Sequence, residues 1–476
     1  MSLFKHQSNS PTETSATGRP LFYGFMILLL WLPLPLGSNR PWAWHLMELL
    51  SFALAGWWLL LYAQQKISTT PALQHGKSLL ACLLAFAGVM LLQLVPLPAE
   101  WVGALRVRDP SLEPGQWLPI SIDPQVTWIH LRTTLAFVAM AFLTLVLVNS
   151  RDRLRQLAIV LVISGLFQAV YGSLMTLSGI EYGFFFKKEA FHNVATGTYW
   201  NRNHLANYLT LCIAAGTGLL LADLYQNAAQ DWRERGRRML MTLLGPKIRV
   251  RLALAMMVIA LVLTRSRMGN TAFFVSLLVA GFCWLWLTKR ITRGSIILLL
   301  SLVVIDSLIV GAWFGFDQVK ERLESTAFTE ETRDEVNRDT WTLIKTQPLL
   351  GSGAGSFYTA FPSYRQQDIG LYYDHAHNDY FQFLTEHGVV GCLPLLALLV
   401  LTLKTTVQTM RQRRTLLFQA MAFTPLMAIT ALMLHSTVDF NLQIPANAAT
   451  FVVILSLAWV VRYLPTRGSY QKKQTL

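Results

Sequence analysis

The chain has 476 residues, of which 53% are hydrophobic and only 14% charged, with 15 Trp and 26 Phe. A soluble domain is about a quarter charged, and apolar runs of roughly 17–21 residues, close to the ~20 that cross a bilayer as helix, recur along most of the length. A soluble globular fold is therefore excluded, and the composition implies an all-α polytopic membrane protein in contact with a lipid bilayer.

Residues 1–20 are polar and rich in Ser and Thr, so the first apolar run starts too late for a cleaved signal peptide and reads as an uncleaved first helix. Twelve candidate spans follow, near 21–37, 44–62, 78–96, 133–149, 156–177, 204–222, 252–264, 270–287, 295–315, 388–403, 415–435 and 445–461. Cys82, Cys212, Cys283 and Cys392 each stand alone in an apolar run without a CxxC, and read as small core hydrophobes. With the N-terminus inside, the inner segments hold 25 of the 40 Lys and Arg against five acidic residues, while the outer segments hold 15 against 19. That asymmetry obeys the positive-inside rule. It explains the net charge of +14 as sidedness, with no nucleic-acid partner. Both termini are then cytoplasmic. The expected organisation is an inner tail (1–20), spans one to nine (21–315), a large, partly helical outer loop (316–387), spans ten to twelve (388–464) and a second inner tail (465–476). A loop of about 70 residues exceeds an ordinary connector and is expected to be functional.

The spans carry almost no ionisable groups, Glu48 and Asp306 excepted, whereas a transporter or pump places several at mid-depth. No pair of Gly/Pro-interrupted spans of the transporter kind is present either. The polar residues gather instead at the outer helix ends, in four clusters. Thr264-Arg265-Ser266-Arg267 sets two arginines in a tight outer turn, either as snorkelling interfacial residues or as an anion clamp, because guanidinium forks match phosphate oxygens. Gly197–Leu209, GTYWNRNHLANYL, offers Arg202, Asn203 and His204 at the start of a span, where capping alone accounts for Asn203. In the long loop, Arg333 and Arg338 sit on an expected helix. The GSGAGS run at 351–356 lacks the GK[ST] of a phosphate loop and reads as a flexible turn. The fourth cluster, HAHNDYFQFLTEHGVVG from His375 to Gly391, holds three histidines whose spacing fits no standard zinc frame. Acid/base chemistry by a histidine near neutral pKa and a merely capped helix start both remain open on spacing alone.

His377-Asn378, nine residues, Gly388, two residues and Gly391 resemble the H-N-x9-G-x-x-G motif of the bacterial O-antigen ligase and Wzy-type O-antigen and exopolysaccharide polymerase superfamily. SIDP (Ser121 to Pro124), GTYWNRNHLANYL, the TRSR turn, the block from Arg338 to Phe357 and HSTVDFNLQIPAN (His435 to Asn447) resemble the same superfamily, in order, over residues 20–462. The resemblance implies a GT-C-like glycosyltransferase of the bacterial inner membrane that needs no cofactor or metal. Its donor would be an undecaprenyl-diphosphate-linked glycan, its acceptor a lipid-linked glycan or lipid A–core, and its site periplasmic. It implies His377 as catalytic base and Arg267 and Arg338 as catalytic arginines. Arg265, Arg202, Asn203, Asn378, Arg40 and Arg333 would bind diphosphate or glycan, with Gly388 and Gly391 structural. Asn378, Asp379, Glu386 and His375 are candidates to orient or support His377, unranked. The SIDP, NRNH and PAN blocks tilt the resemblance toward polymerase over ligase. A protein O-oligosaccharyltransferase is the alternative within the same chemistry, and a polysaccharide flippase the alternative outside it.

Overall fold

A computed structural model describes residues 18–106, 115–184, 186–223, 246–289, 296–297, 300, 333–366 and 373–465. Most of the ninth expected span, the opening of the long loop before Arg333 and most of both tails lie outside the described residues.

In chain order the helices are α1 (Arg19–Trp31), α2 (Pro41–Ala63), α3 (Pro71–His75), α4 (Lys77–Leu94), α5 (Ala99–Leu105), α6 (Pro124–Leu147), α7 (Arg151–Ser178) and α8 (Arg202–Asp223). They continue with α9 (Pro246–Leu263), α10 (Arg267–Thr288), α11 (Arg333–Thr346), α12 (Phe357–Ala360), α13 (Asp379–Gln412), α14 (Leu416–Met421), α15 (Phe423–His435) and α16 (Pro445–Tyr463). Among the described residues nine helical segments are long and apolar enough to cross a membrane, with α14 and α15 counted as one. The protein is an all-α polytopic membrane protein. Among the described residues two short strand pairs interrupt the helices, β1 (Pro96–Pro98) with β2 (Trp117–Pro119), and β3 (Tyr182–Gly183) with β4 (Phe186–Lys187).

Local sequence explains where the helices begin. Thr70, Asp123, Ser150, Ser266 and Asn378 each precede a helix and accept a hydrogen bond from a first-turn amide, which satisfies a donor the helix cannot. Pro41, Pro71, Pro124 and Pro445 occupy first helical positions, where a missing N–H costs nothing. The first span is shorter than its apolar run: α1 stops at Trp31 and the chain turns through Pro33 and Pro35, because proline cannot continue the hydrogen-bond ladder.

α8 is buried along its whole apolar window, and α16 nearly so, whereas α2 and α13 show most of theirs to the surroundings. α8 packs against α7, α9, α14 and α15. Small residues permit this: a Cβ on Gly216 would meet the Leu254 side chain at 2.5 Å, and one on Gly218 would meet Thr424 Oγ1 at 2.6 Å. Lipid tails are as apolar as leucine, so close backbone approach and interhelical hydrogen bonds, such as Thr424 Oγ1 donating to the Ala214 carbonyl at 3.1 Å, hold such a bundle.

The described part of the outer loop forms a second, smaller core. Val336 and Leu343 of α11, Phe357, Phe361 and Ala376 pack together, with Ile122, Tyr373 and Phe381 against them. This cap sits on one end of the bundle, against the last turn of α4, the first turn of α6 and the start of α13, and Ala376, between His375 and His377, belongs to its core.

Candidate active site

His377 stands one residue before Asn378, the residue that caps α13. Its backbone is left-handed (φ 49°), a region that His tolerates better than most residues but still at a cost. The imidazole lies edge-on to two rings, Tyr373 at 5.7 Å and Phe440 at 4.8 Å between centroids. Phe440 is the centre of a histidine cluster: His375 stacks on it at 4.2 Å, and His204, from the start of α8, meets it edge-on at 4.7 Å.

Beside Phe440, Asp439 is fully buried between His204 (3.6 Å) and His435 (3.9 Å). Burial alone would raise its pKa, but the His204 hydrogen bond and the charges of His204 and His435 hold it below the ordinary carboxylate range. A second carboxylate, Asp379, opens α13. Its side chain accepts from Ser436 Oγ at 2.7 Å and from the Leu442 amide at 3.3 Å, while its amide donates to the Ser436 and Asp439 carbonyls. The segment from His435 to Asn447, assigned no role by its residues alone, thus clamps the start of α13 and the ring against His377.

His375 belongs to a different chain of contacts. Gln382 Oε1 accepts from the Ala376 amide at 2.8 Å, so its NH2 must face Glu386 Oε1 (2.7 Å) and His375 Nδ1 (3.2 Å). An amide NH2 can only donate, which makes Nδ1 the acceptor and puts the neutral ring's proton on Nε2. Burial, with His377, His204 and His130 nearby, pushes the His375 pKa down to about 4, against the pull of Asp374. Glu386 also accepts from the Gly355 amide at 2.9 Å.

The glycine turn is built rather than loose, which corrects the expectation of a flexible GSGAGS segment. Gly351, Gly353 and Gly355 all have positive φ, and residues 351–354 are buried. The Ser352 and Gly353 amides donate to the carbonyls of Thr385 and Glu386. On the other side, the Ile122 amide donates to Ser352 and Thr127 Oγ1 to Ala354. A Cβ on Gly353 would fall 2.3 Å from Ser121 Oγ, and one on Gly388 2.3 Å from the Leu349 carbonyl. The SIDP, glycine-turn and H-N-x9-G-x-x-G stretches therefore interlock. Gly391 has a different neighbour: a Cβ there would meet the His387 side chain of its own helix at 2.5 Å.

The arginines divide into three positions. Arg265 (φ 51°) and Arg267 flank Ser266, the cap of α10. This turn abuts the start of α8, since a Cβ on Gly269 would meet Ala206 at 2.6 Å. His204, two residues before Ala206, links it to the Phe440 cluster. Arg202 and Arg40 lie beside outer aromatic rings, 5.9 Å from Phe191 and 5.9 Å from Trp200 respectively. Asn201, one residue before Arg202, caps α8 by accepting from the Asn203 amide (2.9 Å), so the capping side chain is not that of Asn203. Arg338, half exposed on α11, bonds Asp339 at 3.0 Å. One turn on, Trp341 stacks on Phe381 of α13 at 6.0 Å. Arg333 opens α11, and its side chain lies outside the described residues. Asn378 uses its side-chain oxygen to cap α13 through the Tyr380 and Phe381 amides.

Beneath His375 an apolar cavity of about 320 Å³ extends between α4, α6, α13 and α16, lined by Phe86, Met90, Phe137, Leu398 and Phe451, with His130 and His387 also on its wall. Among the described residues no group of three or more His, Cys, Asp or Glu is placed to hold a metal ion.

Gln382, His435, Asp439 and Phe440 lie in stretches that the sequence singled out, His375 to Gly391 and His435 to Asn447, but were given no individual role there. The available signal was a buried Gln three residues into an otherwise apolar helix start and a DF pair directly after an outer helix end. Residues 252–396 match the family model described as O-antigen ligase. The matched stretch runs from α9 to the first half of α13 and contains the arginine turn, Arg338, the glycine turn and His377. No curated protein matches the chain.

Proposed function

We propose that this chain, a member of the O-antigen ligase family through residues 252–396, is a bacterial inner-membrane glycosyltransferase. It passes glycan from an undecaprenyl-diphosphate-linked donor to an acceptor sugar hydroxyl at the periplasmic face. The observation that carries this reading is His377, held in a left-handed backbone conformation among aromatic rings at the start of α13, the helix against which the arginine-bearing α10 and α11 both pack. In the reaction, an imidazole nitrogen of His377 takes the acceptor hydroxyl's proton. The hydroxyl oxygen forms the new bond to the anomeric carbon from the face opposite the diphosphate, which inverts that centre. The bond from the anomeric carbon to the diphosphate oxygen breaks, and its electron pair leaves on the diphosphate.

Charge accumulating on that leaving group calls for fixed cations, and such stabilisation is often the largest catalytic contribution. Arg267 and Arg265, from one turn, and Arg338, from the cap, are the cations we assign to it. Arg40 and Arg202 extend the positive rim, and the apolar cavity supports a lipid-borne substrate.

Purified enzyme given lipid-linked glycan tests the assignment. His377→Ala should leave no transfer with helical content unchanged, since a positioned base contributes about 10²–10⁴. Wild-type turnover in that variant would remove His377 from the chemistry. Arg267→Ala should lower kcat by about 10²–10³, the usual cost of one such charge-stabilising group. Polymerase action is the reading we favour over ligase, on the SIDP, NRNH and PAN blocks. Single repeats left on the lipid in a deletion strain are the outcome expected of a lost polymerase, and long chains left there that of a lost ligase.

A further inference from the structure

At the end of the bundle opposite His377, three arginines from three elements gather, two of them beside one ring. Arg151 is the first residue of α7, Arg413 follows the last turn of α13, and Arg462 lies in the last turn of α16. The guanidinium of Arg413 sits 4.4 Å from the centroid of Phe418, and that of Arg151 sits 5.5 Å from the same ring. Burial and the nearby charges of Arg462 and Arg151 all lower the pKa of Arg413, so the three cations lie within electrostatic reach of one another.

Among the described residues no carboxylate forms an ion pair with any of the three. Arg413 donates to the Leu464 carbonyl and Arg462 to the Gln412 side chain. These bonds serve helix ends and leave most of each guanidinium unused. The Nε atoms of Arg151 and Arg462 are buried without a hydrogen-bond partner. Three like charges gathered at the foot of a membrane bundle repel one another unless an anion neutralises them, and buried donors left unpaired add a further cost.

Guanidinium groups bind phosphate oxygens in pairs of parallel hydrogen bonds. The site lies at the start of α7 and the ends of α13 and α16, with Arg462 about 26 Å along α16 from its start at Pro445, close to the depth of lipid headgroups on that side. We propose that Arg151, Arg413 and Arg462 form a phosphate-binding site that holds the headgroup of an anionic phospholipid in the leaflet opposite the transfer site. The aromatic ring of Phe418 organises two of the cations, and the third closes the site from α16. The site would tie α7 to the ends of α13 and α16, the two helices that begin beside the histidine cluster. It does not depend on the reaction assigned to His377.

The test uses the full chain in phosphatidylcholine nanodiscs, with thermal unfolding as readout and phosphatidylglycerol or inorganic phosphate as the added probe. Phosphatidylglycerol is expected to raise Tm by a few degrees, as a ligand that binds only the folded state does, and Arg151→Gln/Arg462→Gln should lose that rise. Arg413 is left intact because it also holds the end of α16. If the double variant does not fold, native mass spectrometry of the single variant Arg462→Gln takes its place, with fewer bound phosphatidylglycerol molecules expected than in the parent protein. An equal rise, or equal lipid retention, in parent and variant overturns the site. A rise produced equally by inorganic phosphate overturns its assignment to a lipid.

Discussion

The site depends on a few side chains that hold other side chains, and Gln382 is the clearest case. It is fully buried and makes three hydrogen bonds, to the Ala376 amide, His375 and Glu386. Gln382→Leu keeps the shape but leaves the Ala376 N–H and Glu386 without that partner, at a cost of about 1–3 kcal/mol. We expect transfer to fall at least tenfold with KM for donor little changed, because the backbone beside His377 loosens while the arginines stay in place. Unchanged kcat in that variant would show that the network serves stability alone. The same geometry sets a pH limit. His375 accepts through Nδ1 and its pKa in the fold is about 4, below the ordinary 6.5, so the unfolded chain binds this proton first. Its contribution to stability is complete above about pH 6.5 and is lost as pH falls toward 4. Asp439, whose pKa is lowered, acts in the same direction at lower pH. Thermal unfolding followed from pH 8 to 4 in both chains should show His375→Gln losing less Tm than the parent chain between about pH 6.5 and 4. At this scale the sequence was only partly legible. His377 stood out through its motif, but nothing local announces that Phe440, 63 positions later, forms one face of its setting.

Among elements, α13 joins the chemistry to the membrane, and its motif glycines mark where it bends. Gly388 has φ 61° and ψ −172° inside the helix, a conformation that side chains resist. The bend lets the Val389 and Val390 amides donate to the Pro348 and Leu349 carbonyls, and so seats the glycine turn. Gly388→Ala would drive a Cβ into the Leu349 backbone, 2.3 Å from its carbonyl carbon. The turn must then shift, and we expect loss of transfer together with faster proteolysis of the cap. Gly88→Ala in α4 is the control: nothing lies within 4 Å of its added Cβ, and alanine favours helix by about 1 kcal/mol, so Tm should hold or rise. Periodicity and apolar run length made the elements legible. Each expected span other than the ninth, most of which lies outside the described residues, falls on a helix, but α1 stops short of its apolar run at Pro33 and Pro35, and α6 and α13 begin nine residues before the spans expected at 133 and 388, because their polar first turns carry no apolar signal. The glycine turn was misjudged because its rigidity comes from partners far away in sequence, Ser121, Ile122, Thr127, Thr385 and Glu386, that no local pattern names.

For the molecule as a whole, the question is how a polar cap stays seated on an apolar bundle, and Gln93 supplies much of the answer. It sits at the outer end of α4, in the run KSLLACLLAFAGVMLLQL, fully buried. Its NH2 donates to the Leu350 carbonyl at 2.6 Å and the Glu386 carbonyl at 2.8 Å, and its Oε1 accepts from the Ala354 amide at 3.2 Å. Its own carbonyl accepts from the Ser121 amide at 2.9 Å. One side chain therefore spans the glycine turn and the start of α13, which are 257 and 293 residues away. Gln93→Leu would fit the helix and the bilayer, yet it strands the Leu350 carbonyl and the Ala354 amide in a buried place, each costing about 1–3 kcal/mol if left unpaired, and leaves the Glu386 carbonyl only the Gly353 amide. The bundle does not depend on these bonds, because α8, α15 and α16 pack elsewhere. We therefore expect the variant to insert and keep its helical circular dichroism, while a protease added from the outer side cuts within residues 333–376 faster than in the parent chain. Transfer should fall in step with that cleavage, because Arg338 and Ala376 both ride on the cap. Parent-like protection with lost transfer would mean instead that Gln93 acts on the site without seating the cap.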